Sequence, residues 1–281
     1  MAPLDGVLQL DATEDSLVPQ EALVTTNDNN DHSFSGIMFT LEACSHLPLH
    51  HLEIEAVAVR GRLGQMTVWC SDYQPGVLSQ NKRHDQDRWQ LLHKSDQKES
   101  FSSFVVLPLD PPLTIKPGER RDLYIHSASF GDEGIVYDNQ HGHITFEDRC
   151  LRILPGAAHL SSLPFGSQGP WGSPWRERRS FVGRIKYSAL WNKWSPQNHQ
   201  DFPVHFQAAV LTMLMGSRRQ ESLLYLLHEE IVHFILNKCN WDDFGVEQCE
   251  EQSEEDNSFS NFFSPAGWAE LITTALSPLT V

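Results

Sequence analysis

The chain has 281 residues, 40% of them hydrophobic and 10% aromatic, and a formal net charge of −16. Length and composition exclude a minimal disulfide-stapled scaffold and a wholly disordered chain, and allow one large domain with a smaller appendage. The charge sits at the ends: residues 1–33 carry seven acidic groups and those after Lys238 carry nine, with no Lys or Arg in either stretch, while 34–238 balance.

Acidic ends argue against nucleic acid and anionic membrane as partners. Five cysteines with no CxxC pair, odd in number, point to a reducing compartment, and a cytoplasmic location is expected. The first residues lack a basic, then continuously apolar, leader. Nowhere do about 18 apolar residues run together, so no spanning helix is expected.

Residues 1–33 are read as an acidic segment, partly disordered or an edge piece, ending in the polar run Thr26–Asp31. From Phe34 short runs with period-two alternation follow one another: 34–43, 52–60, 64–70, 89–93 and 104–107, with a long polar loop at 79–87. Leu113 to Ser127 is the clearest of these. Leu113 and Ile115 alternate with polar residues, and Pro117-Gly118 suits a type II turn. Alternation then resumes, with Leu123 and Ile125 on one side and Asp122, Tyr124 and His126 on the other. This predicts a β-hairpin or the corner of a sandwich. Further strand-like runs lie at 135–137, 144–146, 151–154 and 181–187. The fold class expected is mainly β: an antiparallel β-sandwich, jelly-roll-like, over 34–188, followed by a small α-helical hairpin.

The hairpin belongs to a region spanning 189–240. Pro203 suits a first helical turn, and Val204, Ala208, Leu211 and Met215 recur at helical spacing up to Gly216. A second helix is expected from Ser222 to Lys238, with Leu224, Leu227, Ile231 and Ile235 as its stripe. Residues 241–281 read as an acidic linker and a short amphipathic helix at 266–276.

The sandwich region resembles an uncharacterised β-sandwich domain family of algal, diatom and bacterial proteins, with a shape like the PHR-type sandwiches of ubiquitin-ligase adaptors. The matching residues are Gly36–Phe39, Val68-Trp69, Trp89, Ile115–Gly118, Leu123–Ile125, Leu151–Ile153, Gly156, Pro164–Gly166 and Phe181–Tyr187. The resemblance implies a fold and carries over no catalytic residue. Leu226–Leu236, followed by Cys239–Phe244, resembles an F-box-like segment, with His228 where proline is usual. It implies scaffold binding through Leu227, Ile231 and Ile235.

Histidines raise metal questions. His228 and His233 lie five apart and diverge by roughly 140° on a helix, so they cannot share an ion as histidines four apart do. His141 and His143 would share one side of a strand, with Asp138 or Glu147 as a third donor; a polar turn is the simpler reading. His46, His50 and His51 cluster in a Pro-containing loop and read as surface histidines. No metal and no cofactor are expected.

The most unusual stretch is Gly169–Trp194, with Trp171, Trp175, Trp191 and Trp194 among six basic residues. Indoles on a rim loop can stack on sugars or prolines, and arginine adds carboxylate recognition. That reading assigns ligand binding to Trp171, Trp175, Arg176, Arg178 and Arg179. Alternatively the tryptophans cover the end of the core, since Trp is highly buried on average, or the basic stretch receives an acidic tail. The function expected is a non-enzymatic interaction or adaptor protein with a protein partner. A carbohydrate-binding module and a metal-dependent enzyme are the alternatives.

Overall fold

Alternating apolar residues have to meet a second apolar layer, and here they do so across two antiparallel sheets. A computed structural model describes residues 17–29, 32–72, 82–129, 133–139, 143–169, 172–239 and 241. The chain divides into two units between Asn192 and Lys193.

In the first unit one sheet joins β1 (Leu17–Thr25), β13 (Arg184–Asn192), β4 (Leu49–Gly61) and β7 (Ser100–Ile115), in that order. The second runs β2 (His32–Phe34), β9 (Ile135–Asp138), β12 (Trp175–Phe181), β11 (Leu151–His159), β3 (Gly36–Ala43), β8 (Arg120–Ser127), β5 (Gly64–Asp72) and β6 (Gln90–Gln97). A short β10 (Phe146–Glu147) pairs with β11. The mainly-β antiparallel sandwich expected from the alternation is present.

The core is built from alternate residues. Ile37, Phe39 and Leu41 of β3, Leu123 and Ile125 of β8, and Met66 and Val68 of β5 are all buried. Phe39 stacks on Phe181 with ring centroids 4.5 Å apart. On β4 a register shift between Ile54 and Ala56 re-phases the alternation. Leu52 and Ile54 before it and Val57 and Val59 after it are therefore all buried.

The Leu113–Ser127 stretch proves to be a corner and not a hairpin. β7 pairs with β4 in one sheet, and β8 pairs with β3 and β5 in the other. The turn between them is as expected: Glu119 N donates to Lys116 O at 2.9 Å, and Gly118 has φ +73°.

Two boundaries shift. Residues 17–25 form a full edge strand, in register with β13 from Leu17↔Asn192 to Thr25↔Arg184, so the sandwich starts well before Phe34. Alternation there is masked by Pro19, Gln20 and Glu21, which an edge strand tolerates. At the other end β13 carries the sandwich on to Asn192.

The second unit has a 3-10 turn (Pro196–Asp201), α1 (Val204–Gly216), a second 3-10 turn (Leu223–Leu226) and α2 (Glu229–Leu236). Its core holds Trp194, Phe202, Phe206, Val210, Met213, Val232, Ile235 and Leu236. Asn237 closes it, accepting from Trp194 N at 2.7 Å and donating to Trp194 O at 2.9 Å. The second helix is shorter than its apolar stripe suggests. Ser222 Oγ accepts from Leu224 N and turns 223–226 into a 3-10 segment, and α2 begins only after His228. On α1 the stripe picked out by helical spacing is the outer one: Val204, Leu211 and Met215 are exposed, while Phe206, Ala209, Val210 and Met213 are buried.

Gly156 sits where β11 bulges against both neighbours, and a Cβ there would fall 1.7 Å from Met38 O. Gly156→Ala should therefore cost about 2–4 kcal/mol in urea unfolding; a loss below about 0.5 kcal/mol would mean that the bulge relaxes freely.

Candidate functional site

The outer face of the longer sheet is the unexpected part of the molecule. Strand register lines its residues up in rungs. His159, Gly36, His126 and Thr67 form one; Ala157, Met38, Tyr124 and Trp69 the next; Thr40, Asp122 and Ser71 the third. Polar outer positions would ordinarily meet water. Here Tyr124, His126 and His159 are fully buried beneath Phe165, Trp89 and Trp175. Gly36 gives them room, because a Cβ there would lie 3.1 Å from the Tyr124 ring and 3.2 Å from that of His126.

Burial obliges each polar atom to find a partner. His159 Nε2 lies 3.0 Å from Gly166 O, which can only accept. The proton therefore sits on Nε2, and Nδ1 accepts from the Tyr124 hydroxyl at 2.6 Å. The His159 ring also stacks on Trp175 at 4.1 Å. His126 Nε2 donates to Ser161 O at 3.0 Å. Its Nδ1, with Thr67 Oγ1 and Trp69 Nε1, has no protein partner among the described residues. Burial holds the His159 pKa down to about 3, with His126, His84 and Arg83 acting in the same direction, and that of His126 down to about 4. Both imidazoles are neutral near pH 7. Tyr124 is pushed well above the usual phenol range by the same burial.

Two cations close the edge of this cluster. Lys82 Nζ lies 3.0 Å from Asp122 Oδ2 and 5.4 Å from the Trp89 ring centroid, and Asp122 Oδ1 accepts from Thr40 at 2.6 Å. Arg83 pairs with Glu177 through both carboxylate oxygens and covers Trp175 at 5.1 Å. The turn Lys82–His84 is thus bonded to both β8 and β12.

Beside Trp89 a cleft of about 460 Å³ opens where the ends of β5, β6 and β7 meet. Cys70, Leu92 and Leu113 make its apolar wall, and Pro111, Pro112 and Thr114 its β7 side. Its rim carries both signs, Asp72 and Asp87 against Arg88 and Arg121. Arg121 is engaged by Asp72 and, at 3.7 Å, by Glu119. Ser71 Oγ, also in the lining, is buried without a partner among the described residues. The volume falls within the range of about 300–1,000 Å³ of ligand clefts. Two adjoining sheet edges, unpaired among the described residues, are its structural basis, since β6 and β7 each end their own sheet. No composition signal marks it, because its lining comes from four separate stretches.

The residues singled out in sequence are scattered. Trp171 lies outside the described residues. Trp175 is only 7% exposed, locked between His159 and Arg83, and offers no stacking face. The stretch expected as a rim loop contains strands β12 and β13, so Trp191 too is buried, and Trp194 belongs to the core of the helical unit. Arg176 folds onto Ser173 O and Trp175 O, and Arg179 onto Glu177 O, whereas Arg178 is exposed with a left-handed φ of +56°. In the helical unit Ile235 is a core residue, Leu227 is partly buried against that core, and Ile231 is 42% exposed.

His141 lies outside the described residues, and among those described no group of three His, Cys, Asp or Glu side chains is placed to hold a metal. His50 Nδ1 and His51 Nδ1 are 2.6 Å apart and bond each other. His233 lies 3.8 Å from Glu229, one turn back on α2.

No protein-family model and no curated protein matches this sequence. Among solved structures it is similar to two from infectious bursal disease virus. The first, of the Gx strain, has 9% identity and a TM-score of 0.21, with 69% of this chain and 47% of that one covered. The second, a VP2 subviral particle, has 14% identity and a TM-score of 0.22, with 72% and 50% covered. The chain spans about half the length of those viral chains, and the sandwich assignment rests on its own sheet order.

Because the folded state keeps both buried histidines neutral while the unfolded chain protonates them near pH 6.5, the unfolded state binds more protons below that pH. Stability is full above about pH 6.5 and falls as the pH drops towards 4 and then 3, by about 1.4 kcal/mol per pH unit for each histidine. Denaturation at about pH 7 and about pH 5 should differ by roughly 2–4 kcal/mol, and His126→Phe should shrink the difference. Tyr124→Phe leaves His159 Nδ1 buried without a donor and should cost about 1–3 kcal/mol at neutral pH. An unchanged unfolding midpoint would remove the relay from the account of this face.

Proposed function

We propose that the protein is a non-enzymatic recognition protein that holds a short extended peptide in the cleft beside Trp89. The observation that carries this reading is the cleft itself, about 460 Å³ between the free edges of β6 and β7 with both signs of charge on its rim. Free strand edges offer main-chain donors and acceptors to an extended peptide, and flanking pockets take its alternate side chains. Pro111 and Pro112 on the β7 side supply no N–H, so strand addition there is limited to what their carbonyls and the neighbouring residues offer, which restrains indiscriminate pairing.

A sugar-binding reading needs an indole face open to solvent. Trp69, Trp89, Trp175 and Trp191 are each less than a tenth exposed, and this favours peptide over glycan. The adaptor form of the proposal gives a second partner to the helical unit, where Ile231 and Phe234 are exposed on α2. Among the described residues Cys44, Cys70 and Cys150 are free thiols, which supports a reducing, cytoplasmic setting. None of the helices among the described residues is long and apolar enough to cross a membrane.

Thr114 is exposed on the cleft wall, so Thr114→Trp fills the cleft without touching the core. Peptides selected on the full chain from a random displayed library should bind the wild type and lose at least about tenfold in affinity for Thr114→Trp. Selected peptides that bind both proteins equally, or a library that yields no binder, would overturn the assignment.

A further inference from the structure

α1 is apolar on two opposite sides. Its thirteen residues contain no charged side chain. Phe206, Ala209, Val210 and Met213 are buried in the core of the helical unit. At about 100° per residue, Val204, Ala208, Leu211 and Met215 fall in one narrow stripe on the reverse side. Val204, Leu211 and Met215 of that stripe are 63%, 52% and 55% exposed. His205, Gln207 and Thr212 keep the flanks of α1 polar, but a second apolar stripe opposite the buried face is ordinarily covered too.

We propose that the cover is a segment of the same chain, residues 266–276, docked as a short helix on the outer stripe of α1. The segment lies outside the described residues. Its sequence places Trp268, Leu271, Ile272 and Ala275 at i, i+3, i+4 and i+7, the spacing of one helical face.

Reach and concentration favour this occupant over a second copy. Twenty-four residues, 242–265, separate the segment from Trp241. Even taken as a coil they span about 27 Å, more than the roughly 20 Å length of α1. A tether of that length holds the segment at an effective concentration of about a millimolar, far above that of a second copy in micromolar solution. Charge points the same way. Eight of the nine acidic residues after Lys238 lie in 242–256, and Arg218 and Arg219 are exposed just beyond α1. Docking would also occupy the stripe against any outside partner, making the segment a tethered competitor.

Hydrogen exchange on the full chain tests this. Amides of 266–276 should exchange at least about tenfold more slowly than in the free peptide, and about hundredfold dilution of the protein should not change that protection. Leu211→Asp with Met215→Asp, both on the exposed stripe, should return them to the free-peptide rate while amides of α2 and β13 stay protected. If α2 loses protection in that variant, the reciprocal Trp268→Asp with Ile272→Asp decides by the same readout. Unprotected amides in the wild type, protection indifferent to these substitutions, or protection lost on dilution, as a second copy would give, each overturn the proposal.

Discussion

The hydrogen bond between Tyr124 and His159 holds the two faces of the longer sheet to one solution. A β-sandwich needs only its inner faces dry, yet here the outer face of β3, β8 and β11 is dry as well. The Tyr124 phenol and the His159 imidazole then have to be satisfied without water. The relay does so by direction: the Tyr124 hydroxyl gives to His159 Nδ1, and His159 Nε2 gives to Gly166 O, which pins Gly166 and its neighbour Phe165 over the sheet. Each such bond is worth about 1 kcal/mol net, but leaving a member unpaired costs more than making it gains. The arrangement therefore selects one packing of the covering loops more than it adds stability.

Much of the sandwich was legible in the sequence because its inner faces obey period two. The Lys116–Glu119 turn was readable to the residue, since Pro117 presets the first central φ of a type II turn and Gly118 takes the positive second one freely. Whether that turn joined neighbours in one sheet or crossed between sheets was not readable, because the local pattern of a hairpin and of a corner is the same. The outer-face cluster escaped for a related reason. Asp122, Tyr124 and His126 alternate against Leu123 and Ile125, as polar outward residues would, and only residues distant in sequence, among them Lys82, Trp89, Phe165 and Trp175, bury them.

Aromatic density misled more than it informed. Trp175 and Trp191 sit among arginines that look like a solvated rim, yet Arg83 and Arg149 lie over those rings at 5.1 and 5.7 Å as their outer lid. A guanidinium can cap an indole while a carboxylate takes its donors, as Glu177 takes those of Arg83, so basic and aromatic residues side by side do not imply an open surface. The helices show the opposite failure. On α1 both faces carry apolar residues, and the better-spaced stripe is the outer one, so periodicity alone could not say which face meets the core.

The buried pair Lys82 and Asp122 shows how the cluster bears on the cleft. Their side chains are 6% and 4% exposed and 3.0 Å apart, and the Coulomb attraction of such a pair is largely spent on removing both charges from water. Little net stability follows. What the pair fixes is position, because Lys82 can meet Asp122, the Asp72 carbonyl and the face of Trp89 from one backbone placement only. Trp89 in turn donates its indole N–H to Lys82 O at 3.0 Å. The indole that walls the cleft is therefore held from both sides before any ligand arrives. In the function we propose, a wall set in advance spares a bound peptide the cost of ordering it.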